Sequence, residues 1–310
     1  MLFFAVKSVM ALLWKRSNLN TGPGMYLFRS LLLLICLLAL SSCSSARLAY
    51  NNLNWLINWK TSDYVPLSRT QKSWLSARID EHLAWHCSTE IPRYRPLLAG
   101  LQNTLDTHDL PASILLEQVP QLMPAVDRVL HEIAPTLAEL FRKLDHSQIA
   151  ALQANLAEQQ QDMHAKFVAP DPAAQAQQRA ERLEKRLNRW LGRLSEEQRS
   201  RIDSWSAELE GQNTIWLENR QHWQQQLVVA LNSRYEEGFT THINDLLVER
   251  QRYWTEAFRE STKVTSRKGA AMLSDVLGMA TDAQRARMDK QFEQLDRDLQ
   301  RLQCAPPSQA

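Results

Sequence analysis

Apolar residues in this chain recur at the spacing of one helix face, and that recurrence constrains the fold before anything else does. Leu183, Leu187, Trp190, Leu191 and Leu194 share one stripe. Met288, Phe292, Leu295, Leu299 and Leu302 share another, and so do Phe239, Ile243, Leu246 and Leu247. Steps of three and four residues return side chains to the same side of an α-helix, whereas a half-buried strand needs alternation with period two. No stretch alternates long enough to read as a sheet. Glycine occurs only 8 times in 310 residues, and Ala, Leu, Gln, Glu and Arg, all good helix formers, dominate. The chain therefore reads as all-α: a multi-helix bundle of amphipathic helices.

One local pattern marks where four of those helices start. Ser68-Arg69-Thr70-Gln71, Asp145-His146-Ser147-Gln148, Ser195-Glu196-Glu197-Gln198 and Thr281-Asp282-Ala283-Gln284 each precede an apolar run. Each pairs an N-cap side chain with a glutamine three residues later, the arrangement of a capping box. The intervals between copies are unequal, so they are not a solenoid period. Pro92, Pro96, Pro111, Pro120, Pro124 and Pro135 are expected to divide the first half into shorter helices, because proline lacks an N–H and crowds the carbonyl four residues back. Ala169-Pro170-Asp171-Pro172 is the clearest break in the middle.

The N-terminus reads as an address. Leu31 to Leu40 is an unbroken apolar run, too short for a bilayer span but right for a signal-peptide core, with Arg29 just before it. Leu40-Ser41-Ser42-Cys43 resembles the bacterial lipobox, in which cleavage precedes a cysteine that is then fatty-acylated, as with palmitate. Ser44 follows, and serine there resembles the outer-membrane default rather than the aspartate that retains lipoproteins at the inner membrane. Met1 to Gly24 holds a separate apolar patch and a turn-like Asn20-Thr21-Gly22-Pro23-Gly24, so Met25 is a possible true start. The division expected is a signal peptide over 1–42, a lipidated segment over 43–66, a helical domain over 67–304 and a disordered tail over 305–310.

The first 42 residues carry Lys7, Lys15, Arg16 and Arg29 and no acid. Without those four, the 36 basic residues fall to 32, against 34 acidic ones. A near-neutral mature chain offers no electrostatic argument for a nucleic-acid partner.

Cysteine usage follows from the same address. Cys36 leaves with the signal peptide and Cys43 is consumed by the lipid, so Cys87 and Cys304 remain. An even pair of thiols in an oxidising compartment is expected to be joined, and both cysteines read as lying at helix ends.

Candidate chemistry is thin. His82 and His86 are four apart, so both rings can point at one spot, but a zinc site needs a third ligand and none is marked. The ordinary alternative is a partly exposed helix face, with one histidine packing on Trp85 or Tyr94. Cys87 as a nucleophile would need a histidine placed across the fold. Adjacent acids such as Asp80-Glu81 and Glu236-Glu237 project apart. The sequence holds no glycine-rich phosphate loop and no nucleophile elbow. No metal, cofactor or small-molecule substrate is called for. Trp55 and Trp59, with Tyr50, Leu53, Leu56 and Ile57, lie close to Cys43. That segment either rests on the membrane interface or packs back on the domain, and its few basic residues favour packing.

Two resemblances can be placed on these residues. Arg47-Leu48-Ala49-Tyr50-Asn51-Asn52-Leu53, then Trp55, Trp59 and Asp63-Tyr64-Val65, and later His82-Leu83-Ala84-Trp85-His86 with Pro92-Arg93-Tyr94, resemble an uncharacterised family of Gram-negative lipoproteins classed as a domain of unknown function. That resemblance implies an anchored helical protein and brings no activity. LSRTQ (67–71), LDHSQ (144–148) and LSEEQ (194–198) are similar to the LTxxQ motif of the Spy/CpxP periplasmic chaperones and stress adaptors, with Ser, Asp and Ser in place of Thr. Any capped amphipathic helix also produces this pattern.

The expectation is a non-enzymatic protein held by a lipid in the inner leaflet of the outer membrane and facing the periplasm. It would act as a binding or scaffold component toward another envelope protein. The alternatives are a chaperone or stress adaptor of Spy/CpxP type, and a metal or thiol enzyme using His82, His86 and Cys87.

Overall fold

The computed structural model describes residues 50–107, 109–302 and 304. The expected signal peptide over 1–42, Cys43 and the expected tail over 305–310 lie outside them. Among the described residues the fold is all-α, with no strand. The helices are α1 (Leu53–Ser62), α2 (Arg69–Trp85), α3 (Ile91–Leu105), α4 (Ala112–Arg142), α5 (His146–Phe167), α6 (Pro172–Leu191), α7 (Glu196–Ala207), α8 (Gln212–Asn232), α9 (Phe239–Leu247), α10 (Glu256–Gly278) and α11 (Asp282–Gln300). A π-turn, His86–Glu90, joins α2 to α3, and a 3₁₀ turn, Arg250–Tyr253, follows α9.

Two apolar cores organise the molecule. The first gathers Leu75 and Ile79 of α2, Ala138 and Leu140 of α4, Leu152 and Leu156 of α5, Leu227 and Leu231 of α8, and Phe239 and Ile243 of α9. The second gathers Leu115 of α4, Leu191 of α6, Ile202 of α7, Val276 of α10, and Met288 and Phe292 of α11. The periodic residues read from the sequence supply much of both. At 31 residues, α4 is about 46 Å long and reaches from one core to the other.

All four capping boxes form, and each closes in both directions between cap side chain and glutamine. They do more than start helices, because their glutamines meet in pairs. Gln71 Nε2 donates to Gln148 Oε1 (3.0 Å) and to the Lys143 carbonyl, while Gln148 Nε2 donates to the Pro66 carbonyl (2.9 Å). At the second core, Gln198 Nε2 donates to Gln284 Oε1 and to the Val276 carbonyl, both at 3.1 Å, and Gln284 Nε2 donates to the Arg193 carbonyl (2.9 Å). Each core is thus closed by two helix N-termini clasped through their own capping residues. Gly192, at φ 79°, ends α6 just before the third box. An added Cβ there would be strained and would stand 3.0 Å from Arg287.

The buried arginines have a matching rule. Arg179 donates to the Ser206 carbonyl (2.6 Å) in the last turn of α7, Arg234 to Leu231 in the last turn of α8, and Arg285 to Leu277 (2.8 Å) in the last turn of α10. Helix C-termini carry orphan carbonyls and the negative end of the macrodipole, and these guanidinium groups answer both.

The prolines correct one expectation. Pro120, Pro124 and Pro135 lie inside α4 and Pro96 inside α3, and they do not divide those helices. All four are on the solvent side. A carbonyl released by proline costs far less where water can satisfy it, and a solvent-facing proline bends the helix around the core it covers. The segment before the first box also joins the bundle. α1 runs back along α2, with Asn54 Nδ2 donating to the Ser76 carbonyl (2.9 Å), and Val65 is buried in the first core. Among the described residues, no helix is long and apolar enough to cross a membrane.

Candidate functional site at the π-turn

Pro92 explains the π-turn. It has no N–H for the Ser88 carbonyl, and its ring would crowd that carbonyl in a regular helix. The chain widens one turn earlier, and the Ile91 N–H bonds to the His86 carbonyl five residues back. Single π-turns of this kind recur at functional sites. The same widening changes what was expected of Cys87. The sequence placed it near a helix end, but it lies within a continuous helical run, buried in the π-turn and bonded to Cys304.

Glu90 closes the turn. Its side chain is 0% exposed, yet it is fully partnered: Arg128 Nε and Nη2 donate at 3.0 and 2.9 Å, and Arg93 donates at 2.8 Å. The Arg128 guanidinium, helped by Arg93, outweighs burial and holds the Glu90 carboxyl below its usual range. His86 lies one turn earlier, between two tyrosines, with Nδ1 3.1 Å from the Tyr50 hydroxyl and Nε2 3.0 Å from the Tyr94 hydroxyl. Tyr50 spends its own proton on the Leu83 carbonyl, 3.0 Å away. One assignment satisfies every atom: His86 Nδ1–H donates to Tyr50, Tyr50 to Leu83, and Tyr94 to His86 Nε2. Burial lowers the His86 pKa and favours this neutral ring, although nearby Glu90 pulls the other way. Burial also pushes Tyr50 up to about 12.

His82 is turned elsewhere. Its Nε2 is 2.8 Å from Thr136 Oγ1, and its Nδ1 stands 3.3 Å from the Glu132 carboxylate. The two histidines that share a helical spacing therefore serve different partners, α4 for His82 and the tyrosines for His86. Among the described residues, no group of three or more His, Cys, Asp or Glu is placed to hold a metal. Both ring nitrogens of His86 are occupied, and the Cys87 sulfur is committed to a bond. The cluster is built to hold segments together: Tyr50 ahead of α1, the end of α2, the start of α3, the middle of α4 and Cys304 all converge on it.

A groove of about 440 Å³ opens beside it, between α3 and α11, lined by Pro92, Pro96, Gln102 and Phe292. Arg95 and Asp296 bridge it at 2.7 Å, and Glu293, the third charged residue on its wall, pairs with Arg297 at 3.4 Å.

Sequence reading missed Glu90, Arg93 and Arg128. The spacing of His86, Glu90 and Tyr94 at successive fours was a usable signal, but Arg128 is 38 residues away from Glu90 and carried none. Nor does any local pattern show that the four capping boxes meet in pairs.

No curated protein and no solved structure is detectably similar to the chain. A family model described as a family of unknown function, DUF6279, matches residues 63–259. The match takes in three capping boxes, the π-turn with Cys87, Glu90 and Arg128, and all of α4, while Tyr50, the fourth box and Cys304 fall beyond it. By that match over most of its length, the chain belongs to the DUF6279 family.

Proposed function

We propose that this is a lipid-anchored helical protein, held through Cys43 in the inner leaflet of the outer membrane, where it faces the periplasm and binds another envelope component without catalysing a reaction. The lipobox-like Leu40-Ser41-Ser42-Cys43 supports the anchor, and the Cys87–Cys304 bond suits an oxidising compartment.

The observation that carries the binding role is on α4. Val119, Leu122 and Val126 are all exposed, and their spacing of three and four puts them on one face. They lie between Leu115, in the second core, and Ala134 and Ala138 farther along the helix, so both ends of α4 are held while its middle presents apolar surface. An apolar stripe along one exposed helix face marks an interaction site more often than a scattered apolar residue does. The same stripe also favours a second reading, a chaperone of broad specificity.

Photo-crosslinking from position 122 of the full-length protein in cells separates the two. A dedicated partner yields one discrete adduct in the membrane fraction, lost in a Val119→Glu/Val126→Glu variant whose helical signal and melting are unchanged. A chaperone yields a ladder of adducts and slows the aggregation of an unfolded protein in vitro. Absence of any adduct above that from an exposed polar site contradicts both.

A further inference from the structure

We infer that the face of α1 carrying Trp55 and Trp59 inserts into the head-group layer of the membrane that holds the anchor, so that α1 is a second, aromatic point of attachment. The inference rests on the anchored reading above.

Trp55 is 58% exposed, and Trp59, half-buried one turn farther on, shares its face, while Leu56 is turned away from it and buried. An exposed tryptophan this large forfeits a substantial burial energy in water and is the residue type most enriched at bilayer interfaces. It is not free to turn inward. Tyr50 is bonded to Leu83 and His86, and Asn54 to Ser76, so the opposite side of α1 is fastened to α2. Trp59 stacks against Trp55, with centroids 6.1 Å apart and planes within 7°, and stiffens the projecting ring.

Chain length supplies the occupant. Six residues separate Cys43 from Tyr50, and the seven Cα steps span at most about 25 Å. Trp55 lies about 7.5 Å farther along the helix. A lipid on Cys43 therefore keeps α1 within one short tether of the head groups at all times, at a local concentration no soluble partner matches. Lys60 is paired with Asp63 at 2.7 Å, which leaves the contact apolar rather than electrostatic. It should therefore survive high salt.

The test uses the acylated protein, extracted from membranes and reconstituted into phosphatidylethanolamine/phosphatidylglycerol vesicles brominated near the head group. The protein should float with the vesicles, and its tryptophan emission should be quenched more than by lipid brominated deep in the chain. Trp55→Phe, at an exposed position that does not threaten the fold, should float equally and lose most of that quenching, with or without high salt. Equal quenching of both proteins, or none, overturns the inference and leaves anchoring intact. Failure to float overturns the anchored reading and this inference with it.

Discussion

Opening the Cys87–Cys304 bond, by reduction or by the Cys87→Ala/Cys304→Ala substitution, is expected to cost the folded protein on the order of 5 kcal/mol. The two cysteines are 217 residues apart, so the bond closes a loop that holds nearly the whole described bundle. In the chain-entropy account, a cross-link of that span removes about that much freedom from the unfolded chain. The folded state keeps most of its contacts, because Met288 and Phe292 still fix α11 in the second core. The loss should therefore appear as a lower denaturation midpoint with a steeper dependence on denaturant, since the reduced unfolded chain is more expanded. Hydrogen exchange should show the π-turn and the last turn of α11 opening first. A midpoint indifferent to reductant would mean that the bond constrains neither state.

Gln198→Ala is expected to cost about 3 kcal/mol. The side chain is 0% exposed and works in two directions at once. It accepts from the Ser195 N–H, closing the capping box, and donates to the Val276 carbonyl and to Gln284 across the core. Alanine would strand the Val276 carbonyl and Gln284 where both bonds are buried, and would leave the Ser195 N–H without its capping partner; a buried group left unsatisfied costs more than the bond itself was worth. Gln284→Ala should be nearly as harmful, and the double variant clearly less harmful than the two losses added, because each single change already breaks the clasp. The partly exposed Gln71 should cost less than Gln198. Additive losses in urea denaturation would show that the boxes act only as separate caps.

What was legible in the sequence was what is local. The four boxes depend on residues three apart, and the apolar stripes on residues three and four apart, so composition and spacing sufficed for the helix starts and the fold class. Pro92 and Pro111 stand at helix starts, but Pro96, Pro120, Pro124 and Pro135 divide nothing, because a proline's cost depends on whether the carbonyl behind it faces water, which is a tertiary fact. The π-turn has a cause in Pro92, yet its consequence, a carboxylate sealed beneath Arg128, needed α4 to be laid alongside. The glutamine pairs join positions 77 and 86 residues apart, and nothing in either local pattern says which box meets which. His82 and His86 show the converse. A shared helical spacing suggested a common target, and the structure gives each ring its own.

The central claim, a helical domain tethered by a lipid on Cys43, is tested most directly by the mass of the mature N-terminus. Protein extracted from the membrane fraction and digested should yield a first peptide that begins at Cys43 and carries fatty acyl mass. A Cys43→Ala variant should accumulate as uncleaved precursor. A native peptide running through position 43 with a free, unmodified thiol would contradict the tether, and with it the placement of this bundle at the membrane surface.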